Sequence, residues 1–468
     1  MKNLLCFTFM FFHVLTAFSQ DITGRWYGVL KVQGVELNLI FNIAKTETGY
    51  ASTMDSPNQG AKDVPVPSTT FVDNVLKMEV PAEKIVYVGK FQKNEIIGEF
   101  KQRTAVLTLN LMRNAPKKAE IASGPKAQIL SKPYPYIEEN VSFENKSANI
   151  KLAGTLTLPS KKGKFPVAIL ISGSGPQDRN EEILGHKPFL ILADELTKKG
   201  IAVLRFDDRG TAESTGDFMS ATTADFATDV EAAIAYLRTR KDIDKKNIGL
   251  IGHSEGGLIA PMVAAKDKKI NFIVLLAGTG IQGNELLLLQ EALIAKDAGV
   301  GENEIEETRK SSKIAYDLVV NAKNDELLKV DLSKHIRKTL RENRESEKPE
   351  GMTEKELVDL QVEQLMMPWM QYFLKYNPVS TLEKVKCSVL ALNGEYDLQV
   401  PAAINLEAIK AATTKGGNSN VTTVTLPKLN HLFQECTSGS PNEYANIKQT
   451  IAPLALETVS SWVLKTVK

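Results

Sequence analysis

Residues 247–257 read Asn-Ile-Gly-Leu-Ile-Gly-His-Ser-Glu-Gly-Gly, and this stretch decides the fold of the chain. Its first half is a short apolar run, which is typical of a strand buried on both faces, and a helical run follows it. Between the two lies Gly252-His253-Ser254-Glu255-Gly256, the pattern of a sharp turn from a strand into a helix. Glycines leave the room that such a crowded turn needs, and the turn exposes its central serine. The stretch therefore predicts that Ser254 is a nucleophile at the end of a buried strand.

A serine hydroxyl is a weak nucleophile and needs a base, for which the chain offers five histidines. Our candidate is His431, because it follows the last predicted strand, Val421 to Leu426, where a site of this kind has its base. His253 adjoins Ser254, but the turn is expected to direct its side chain away. The other three lie in a leader segment, in the loop after an early strand and in a charged insertion (His13, His186 and His335).

The acid that accompanies such a base lies between nucleophile and base in the sequence and follows a strand. The segment Asn393-Gly394-Glu395-Tyr396-Asp397 follows the predicted strand 389–392 and offers two carboxylates. We take Asp397 as the acid that holds His431 in the productive tautomer. Glu395, which comes earlier in the turn, is the alternative.

Acyl transfer passes through a tetrahedral intermediate whose oxyanion needs N–H donors. One predicted donor is the backbone N–H of Glu255, directly after the nucleophile. The other belongs to the glycine-containing loop 172–179, which follows the predicted strand 166–171. We place it at Ser174, with Gly173 as the alternative.

Charged residues follow the next predicted strand, 201–206, in the segment Asp207-Asp208-Arg209-Gly210. Such charges could bind substrate. We expect instead that Asp207 and Arg209 bond within their own loop and hold it beside the nucleophile.

From about residue 137, short apolar runs alternate with helical stretches, which predicts an α/β fold with a mostly parallel sheet and helices on both faces. The alternation stops between about 281 and 375, where a charged helical insertion is expected to form a cap over the site.

Residues 20–113 follow a different pattern, because several runs there alternate apolar with polar residues, as half-buried strands do. They predict a small antiparallel β domain, either a sandwich or a barrel, and the opening Gly24-x-Trp26-x-Gly28 resembles that of lipocalin-like barrels. Segment 114–136 contains Pro, Lys and Ser without periodicity, so we expect a linker there.

The first nineteen residues have the order of a secretory signal peptide: Lys2, an apolar run, then Ala17-Phe18-Ser19. We expect cleavage after Ser19 and a secreted or periplasmic protein without a lipid anchor, because Cys6 lies too early for one. Cys387 and Cys436 would remain, either paired or as buried thiols, and we favour unpaired. No later segment is apolar enough to span a membrane.

The composition excludes several classes of protein. The 468 residues include 57 basic and 56 acidic ones, and a net charge of +1 provides no broad basic surface for nucleic acid. Three cysteines are too few for a disulfide scaffold or a cysteine-rich zinc site.

Together these motifs resemble the α/β-hydrolase superfamily, and in particular the esterase D-like bacterial carboxylesterases with an N-terminal β domain. The matching segments lie in a hydrolase domain over 137–468 and are 173–179, 205–210, 252–257, 394–401 and 430–434. The cap also matches at Pro368-Trp369, and the resemblance implies that Trp369, Tyr372 and Phe373 bind substrate. One departure is Thr211-Ala212, where relatives often have a second glycine after Arg-Gly.

We therefore expect a serine hydrolase that cleaves a small-molecule carboxylic ester through an acyl-enzyme and needs no metal or other cofactor. A serine peptidase of the aminopeptidase-like kind and an acyltransferase are alternatives that would use the same three residues. A non-catalytic protein whose N-terminal domain binds a glycan or a lipid is an alternative from another class.

Overall fold

A computed structural model describes residues 21–32, 35–56, 61–80, 85–102, 105–114, 130–342 and 353–468. The expected signal peptide, residues 1–19, lies outside these ranges, as does most of the expected linker (115–129). The described residues up to 114 form one compact unit, and those from 130 onwards form another.

The first unit is an antiparallel sheet, as the alternating pattern predicts. Its strands are β1 (Gly24–Val32), β2 (Val35–Thr46), β3 (Gly49–Ser56), β4 (Ala61–Val66), β5 (Ser68–Val72), β6 (Val75–Val80), β7 (Ile85–Gln92), β8 (Glu95–Gln102), β9 (Ala105–Thr108) and β10 (Leu111–Met112). They lie side by side in the order β4-β3-β2-β1-β10-β8-β7-β6-β5, with β9 paired to β8. The outermost strands, β4 and β5, are consecutive in the chain, and the hydroxyls of Ser52 in β3 and Thr69 in β5 lie 2.6 Å apart. The sheet therefore curls back on itself into a near-barrel.

Large side chains fill the inside of this near-barrel. Its fully buried residues include Trp26, Phe41, Leu76, Met78 and Tyr87. The rings of Phe41 and Tyr87 stack with their centroids 5.8 Å apart. The alternation of apolar and polar residues along each strand thus places one face in a packed aromatic core.

The second unit is an α/β fold, also as predicted. Its strands are β11 (Ile137–Asn145), β12 (Ile150–Leu158), β13 (Phe165–Ile171), β14 (Ala202–Phe206), β15 (Ile243–His253), β16 (Phe272–Leu276), β17 (Ser388–Gly394) and β18 (Val421–Leu426). They form one sheet in the order β11-β12-β14-β13-β15-β16-β17-β18. Strands β13 to β18 are parallel, whereas β11 and β12 pair antiparallel at one edge.

Helices cover both faces of this sheet. Those that pack on it are α1 (Pro188–Lys198), α2 (Thr223–Thr239), α3 (Gly256–Lys266), α10 (Ala402–Lys415) and α11 (Pro453–Thr466). Leu250 in β15 faces the core shared with α2, α3 and α10, and its neighbour Ile251 faces the core shared with α1 and α11. Burial on both faces explains why the strands are continuous apolar runs.

The expected insertion follows β16. Its helices are α4 (Gly283–Asp297), α5 (Glu302–Asn321), α6 (Asp325–Glu342), α7 (Glu354–Met366) and α8 (Pro368–Lys375), and a short α9 (Val379–Leu382) leads into β17. The insertion has an apolar core of its own, which includes Val319, Leu332 and Val358. None of the helices in the described ranges has both the length and the hydropathy of a membrane span.

The two cysteines outside the expected signal peptide are unpaired, as favoured from the sequence. Cys387 and Cys436 are both free thiols, and burial raises the pKa of Cys387 to about 12 and that of Cys436 to about 11.

Ala212, at the departure from the glycine pattern, has a φ of +47°. An alanine therefore occupies a left-handed conformation that favours glycine, so the loop keeps this turn at some cost in strain.

Candidate active site

The turn between β15 and α3 has the geometry that its glycines predict. Ser254 has a φ of +52°, and its backbone N–H donates to the carbonyl of Leu276 in β16 at 2.8 Å. A Cβ on Gly252 would lie 1.9 Å from the carbonyl oxygen of Gly256, and one on Gly256 would lie 2.2 Å from that of Ile171. Both approaches are too close for any side chain. The two glycines are therefore required by the strained turn that carries Ser254.

His431 and Asp397 meet beyond the ends of β17 and β18. Nδ1 of His431 lies 2.8 Å from Oδ2 of Asp397, and both side chains are buried. The other carboxylate oxygen of Asp397 accepts the backbone N–H groups of Gln399 at 2.9 Å and Val400 at 2.8 Å. With one oxygen fixed by its own turn, Asp397 can orient the imidazole so that Nε2 is left for the chemistry.

The competing candidates are bonded elsewhere. Glu395 is exposed and accepts a backbone N–H from the turn after β18. His186 is buried with its Nδ1 3.1 Å from the hydroxyl of Thr450, and burial lowers its pKa. His335 lies within the cap, where Nε2 is 2.9 Å from the carbonyl of Ser311. The structure therefore brings only Asp397 and His431 together among these candidates.

His253 connects the turn to the base. As expected, its side chain points away from that of Ser254, and its Nε2 lies 3.0 Å from the carbonyl oxygen of His431. The rings of His253 and His431 are 4.9 Å apart at their centroids. Within the described residues, the Ser254 hydroxyl has no hydrogen bond to the His431 ring. Such bonds are often long before substrate binds, so this geometry is compatible with a nucleophile and its base.

The segment 172–187 between β13 and α1, which contains the predicted loop 172–179 and is called the oxyanion loop below, has two candidate donors that the structure distinguishes. The N–H of Gly173 donates to Oε1 of Glu181 at 2.7 Å, so this donor is already in use. In the described part of the chain, the backbone N–H groups of Ser174 and Glu255 have no protein acceptor, and Ser174 is exposed. Ser174 and Glu255 are therefore the donors available to an oxyanion.

Buried carboxyl groups hold this loop in place. Asp208 accepts the hydroxyl of Ser172 at 2.6 Å and the backbone N–H of Gln177 at 3.0 Å, and burial raises its pKa well above the ordinary value. Asp207 binds Arg179 through the guanidinium, with Nη2 2.6 Å from Oδ2. The loop between β13 and α1 is thus fastened to the one that follows β14.

The expectation that Asp207 and Arg209 bond within their own loop is wrong for Arg209. Asp207 accepts the backbone N–H of Glu213 in that loop at 3.2 Å, but its guanidinium partner is Arg179 on the neighbouring loop. Arg209 binds Asp229 of α2, with Nε 2.7 Å from Oδ2. Asp207 and Arg209 therefore pair with residues of neighbouring elements rather than with each other. In both pairs, Arg179–Asp207 and Arg209–Asp229, the guanidinium donates to the carboxylate through two nitrogens, which is a favourable geometry.

The side chain of Glu255 ties the nucleophile turn to the cap. It is buried, and its Oε1 accepts the hydroxyl of Thr223 at 2.6 Å and the indole N–H of Trp369 at 2.7 Å. Burial raises the pKa of Glu255 to about 7, although these two hydrogen bonds act in the opposite direction.

The three aromatic residues expected to bind substrate lie on α8. Trp369 reaches the nucleophile turn and stacks on Phe373, with ring centroids 5.1 Å apart. Phe373 itself is buried in a small cluster with Leu258 and Val400. Tyr372 is half-buried, and this burial raises its pKa. Trp369 is therefore the member of the three that contacts the site's own residues.

Sequence reasoning missed Glu181, and it named Asp208 only among the charges that could bind substrate, not as a group that holds the neighbouring loop. Both are buried carboxyls that hold the oxyanion loop, and neither belongs to a spacing pattern that marks it. In the sequence, both residues stand in turns that contain several polar side chains. Exposed loops have the same composition, so this pattern does not identify a buried carboxyl group.

The sheet order, the turn at Ser254 and the Asp397–His431 pair define the α/β-hydrolase fold, which confirms the resemblance seen in the sequence. The sequence profile of the X-Pro dipeptidyl-peptidase (S15) family matches residues 148–431, more than half of the chain. The chain belongs to this family.

Two curated proteins and a solved structure are similar to parts of this chain. Esterase EstD of Thermotoga maritima is 34% identical over 128 residues, 27% of this chain and 31% of that protein. An uncharacterised Pseudomonas aeruginosa protein, PA2218, is 27% identical over 135 residues, 29% of this chain and 35% of the relative. The chain thus spans about a third of the length of each of these curated relatives. A solved esterase of Pyrococcus furiosus covers 73% of this chain and 97% of its own, at 15% identity and a TM-score of 0.43.

Proposed function

We propose that this protein is an exported serine hydrolase that cleaves carboxylic esters. The observation that carries the proposal is the buried Asp397–His431 pair. The backbone carbonyl of His431 is within hydrogen-bond distance of the ring of His253, the residue next to Ser254 in the turn. The esterase relative supports the same class of activity.

The proposed reaction uses groups of the chain alone. Ser254 attacks the ester carbonyl while Nε2 of His431 takes its proton, and Asp397 stabilises the imidazolium that forms. The N–H groups of Ser174 and Glu255 stabilise the oxyanion. His431 then protonates the leaving alcohol and activates the water that hydrolyses the acyl-enzyme.

Replacement of Ser254 tests this mechanism. Ser254→Ala should abolish hydrolysis of short-chain p-nitrophenyl esters and labelling by a fluorophosphonate probe. Ser461→Ala, on the exposed face of α11, is the matched control and should behave as the wild type. Retained hydrolysis in purified Ser254→Ala would exclude the mechanism.

A serine peptidase is the second candidate, and the family match favours it. A peptidase of this kind needs an acidic anchor for the amine of its substrate. Glu255 does not suit that role, because its carboxyl is buried and accepts from Thr223 and Trp369. Comparison of kcat/KM on p-nitrophenyl esters and on X-Pro p-nitroanilides decides between the two: a higher value on the anilides would make the protein a peptidase.

Export belongs to the same proposal and rests on the sequence of residues 1–19 alone. Fractionation of the source cells, followed by N-terminal sequencing, should place the mature chain outside the cytoplasm with Gln20 as its first residue. A cytoplasmic protein that starts at Met1 would contradict it.

A further inference from the structure

Glu181 and His253 form a second acid–histidine pair beside the proposed catalytic one. Glu181 lies on the oxyanion loop between β13 and α1, and its side chain is buried. Its Oε1 accepts the N–H of Gly173 at 2.7 Å and lies 2.9 Å from Nδ1 of His253. One carboxylate oxygen therefore joins the oxyanion loop to the nucleophile turn.

Both ring nitrogens of His253 face hydrogen-bond acceptors. Nδ1 faces the Glu181 carboxylate, and Nε2 lies 3.0 Å from the carbonyl oxygen of His431. A neutral imidazole carries one N–H and can donate to only one acceptor, whereas the imidazolium donates to both. With Glu181 ionised, the two contacts together correspond to the doubly protonated form of His253.

The surrounding charges support this form. Burial opposes the charge, but the Glu181 carboxylate, the hydrogen bonds and the more distant Asp397 carboxylate together raise the pKa of His253. The other titratable group against the ring is His431, 4.9 Å away between centroids. A buried charge is tolerated when it is paired and fully hydrogen-bonded, and His253 meets both conditions.

We propose that Glu181 and His253 act as a charged positioning pair that fixes the oxyanion loop and the His431 loop against the turn of Ser254. The proposal rests on the hydrolase function above. Glu181 engages the N–H of Gly173, so of the two candidate donors the N–H of Ser174 is the one without a protein acceptor among the described residues. His253 engages the peptide carbonyl of His431, which holds the base beside the nucleophile.

The Glu181–His253 pair can set the spacing between three separate segments of the site. The nucleophile, the base and the oxyanion loop follow three different strands, β15, β18 and β13, so no covalent link sets their spacing. Oxyanion stabilisation requires donors at hydrogen-bond distance from a single oxygen, and small displacements lose it. The hydrogen bonds of Glu181 and His253 connect all three segments.

The first test needs no variant of Glu181. In ¹⁵N-histidine NMR of the wild-type protein at pH 7, both nitrogens of His253 should be protonated; the signals are assigned by their loss in His253→Gln. A signal from an unprotonated ring nitrogen of His253 at this pH would overturn the proposal. This result does not depend on whether the protein hydrolyses esters, so it is separate from the Ser254→Ala test.

The second test is kinetic. Glu181→Gln removes the charge. Its amide oxygen can still accept from Gly173 and from Nδ1–H of a neutral His253, but a neutral ring protonated at Nδ1 has no N–H left for the carbonyl of His431. The variant should lower kcat on p-nitrophenyl esters about 10- to 100-fold and leave KM within about threefold, because the loss falls on the transition state. The affinity for a trifluoromethyl ketone, which forms an oxyanion on Ser254, should fall in parallel with kcat.

Glu182→Gln is the matched control, since Glu182 is the exposed neighbour whose carboxylate pairs with Lys187 at the surface. It should leave kcat, KM and inhibitor affinity unchanged. Unchanged kcat in folded Glu181→Gln, or a rise in KM alone, would show that the pair is merely structural. If Glu181→Gln unfolds the chain, the NMR measurement on the wild type decides. If His253→Gln unfolds as well, the His253 signals are assigned by elimination, from the losses in single Gln variants of the other histidines.

Discussion

The two units of the chain bury different kinds of side chain. The near-barrel fills its interior with apolar and aromatic groups, of which Trp26, Leu76 and Tyr87 have no exposed surface. The α/β unit also has an apolar core, but it buries many ionisable groups as well. Most of them lie near the ends of its parallel strands: Glu181, Arg205, Asp207, Asp208, Arg209, His253, Glu255, Asp397 and His431.

The buried ionisable groups of the α/β unit lower its stability, and they lie where the candidate site is. Burying a charge is unfavourable unless partners replace the lost water. In the α/β unit each proposed functional carboxyl has such partners, for example the two backbone N–H groups on Asp397. The near-barrel, by contrast, buries mainly apolar area, with a few hydrogen-bonded polar groups such as Ser52 and Asp55. We therefore expect substitutions in the two units to have different consequences.

The largest expected effect is on the chemistry of the α/β unit. Asp397→Asn should lower kcat about 10⁴-fold, because an amide favours the wrong tautomer of the histidine in a Ser-His-Asp triad. Glu395→Gln, two residues away and exposed, should leave kcat unchanged. Steady-state kinetics on p-nitrophenyl esters measures both. A larger loss in Glu395→Gln would reverse the assignment of the acid.

The next effect is on the stability of the near-barrel. Leu76→Ala should reduce the free energy of unfolding of that unit by about 2–5 kcal/mol, because it leaves a cavity in a packed core. Val72→Ala, at a side chain that is 65% exposed, should change it by less than about 0.5 kcal/mol. Calorimetry measures the stability. We expect kcat of both variants to equal that of the wild type, and a loss of activity in folded Leu76→Ala would break the comparison.

The smallest effect is a dependence of stability on pH. Burial raises the pKa of Glu255 from 4.5 to about 7, so the folded state keeps a proton that the unfolded state loses as pH rises between these values. This contribution to stability is complete below pH 4.5 and is lost as pH rises through 7. Glu255→Gln cannot titrate and keeps an acceptor for Thr223 and Trp369.

The stability of the wild type relative to Glu255→Gln should therefore fall by on the order of 3 kcal/mol between pH 4.5 and 8, at 1.36 kcal/mol per pKa unit. Urea denaturation at several pH values measures the difference. Glu182→Gln, at the surface, should show no such trend against the wild type. A difference between wild type and Glu255→Gln that stays constant with pH would mean that folding does not raise the pKa of Glu255.

Much of the fold and the candidate triad could be predicted because they follow from local patterns. The strained turn at Ser254 needs glycines at fixed positions, and a fold of this kind places the acid and the base after particular strands. Asp397 and His431 could be chosen on that basis, and the structure brings them together. The choice between Gly173 and Ser174 stayed open, because both lie in the same loop and only the position of Glu181 separates them.

Side-chain pairing was the part that could not be predicted. Asp207 and Arg209 are neighbours in sequence, yet they bind Arg179 and Asp229 on other elements. A charged side chain pairs with the group that best matches it in distance and direction, and that group is brought near by the packing of whole elements.

The sequence by itself determined the two-part organisation, the parallel and antiparallel sheets and the turn at Ser254, since periodicity and glycine spacing act over short distances along the chain. Only the tertiary structure decided which N–H of the oxyanion loop is free, that Glu255 binds the indole of Trp369, and that His253 is held between Glu181 and the carbonyl of His431. These contacts join residues that lie far apart in sequence, and hydrogen bonds depend on tenths of an ångström that no local pattern specifies.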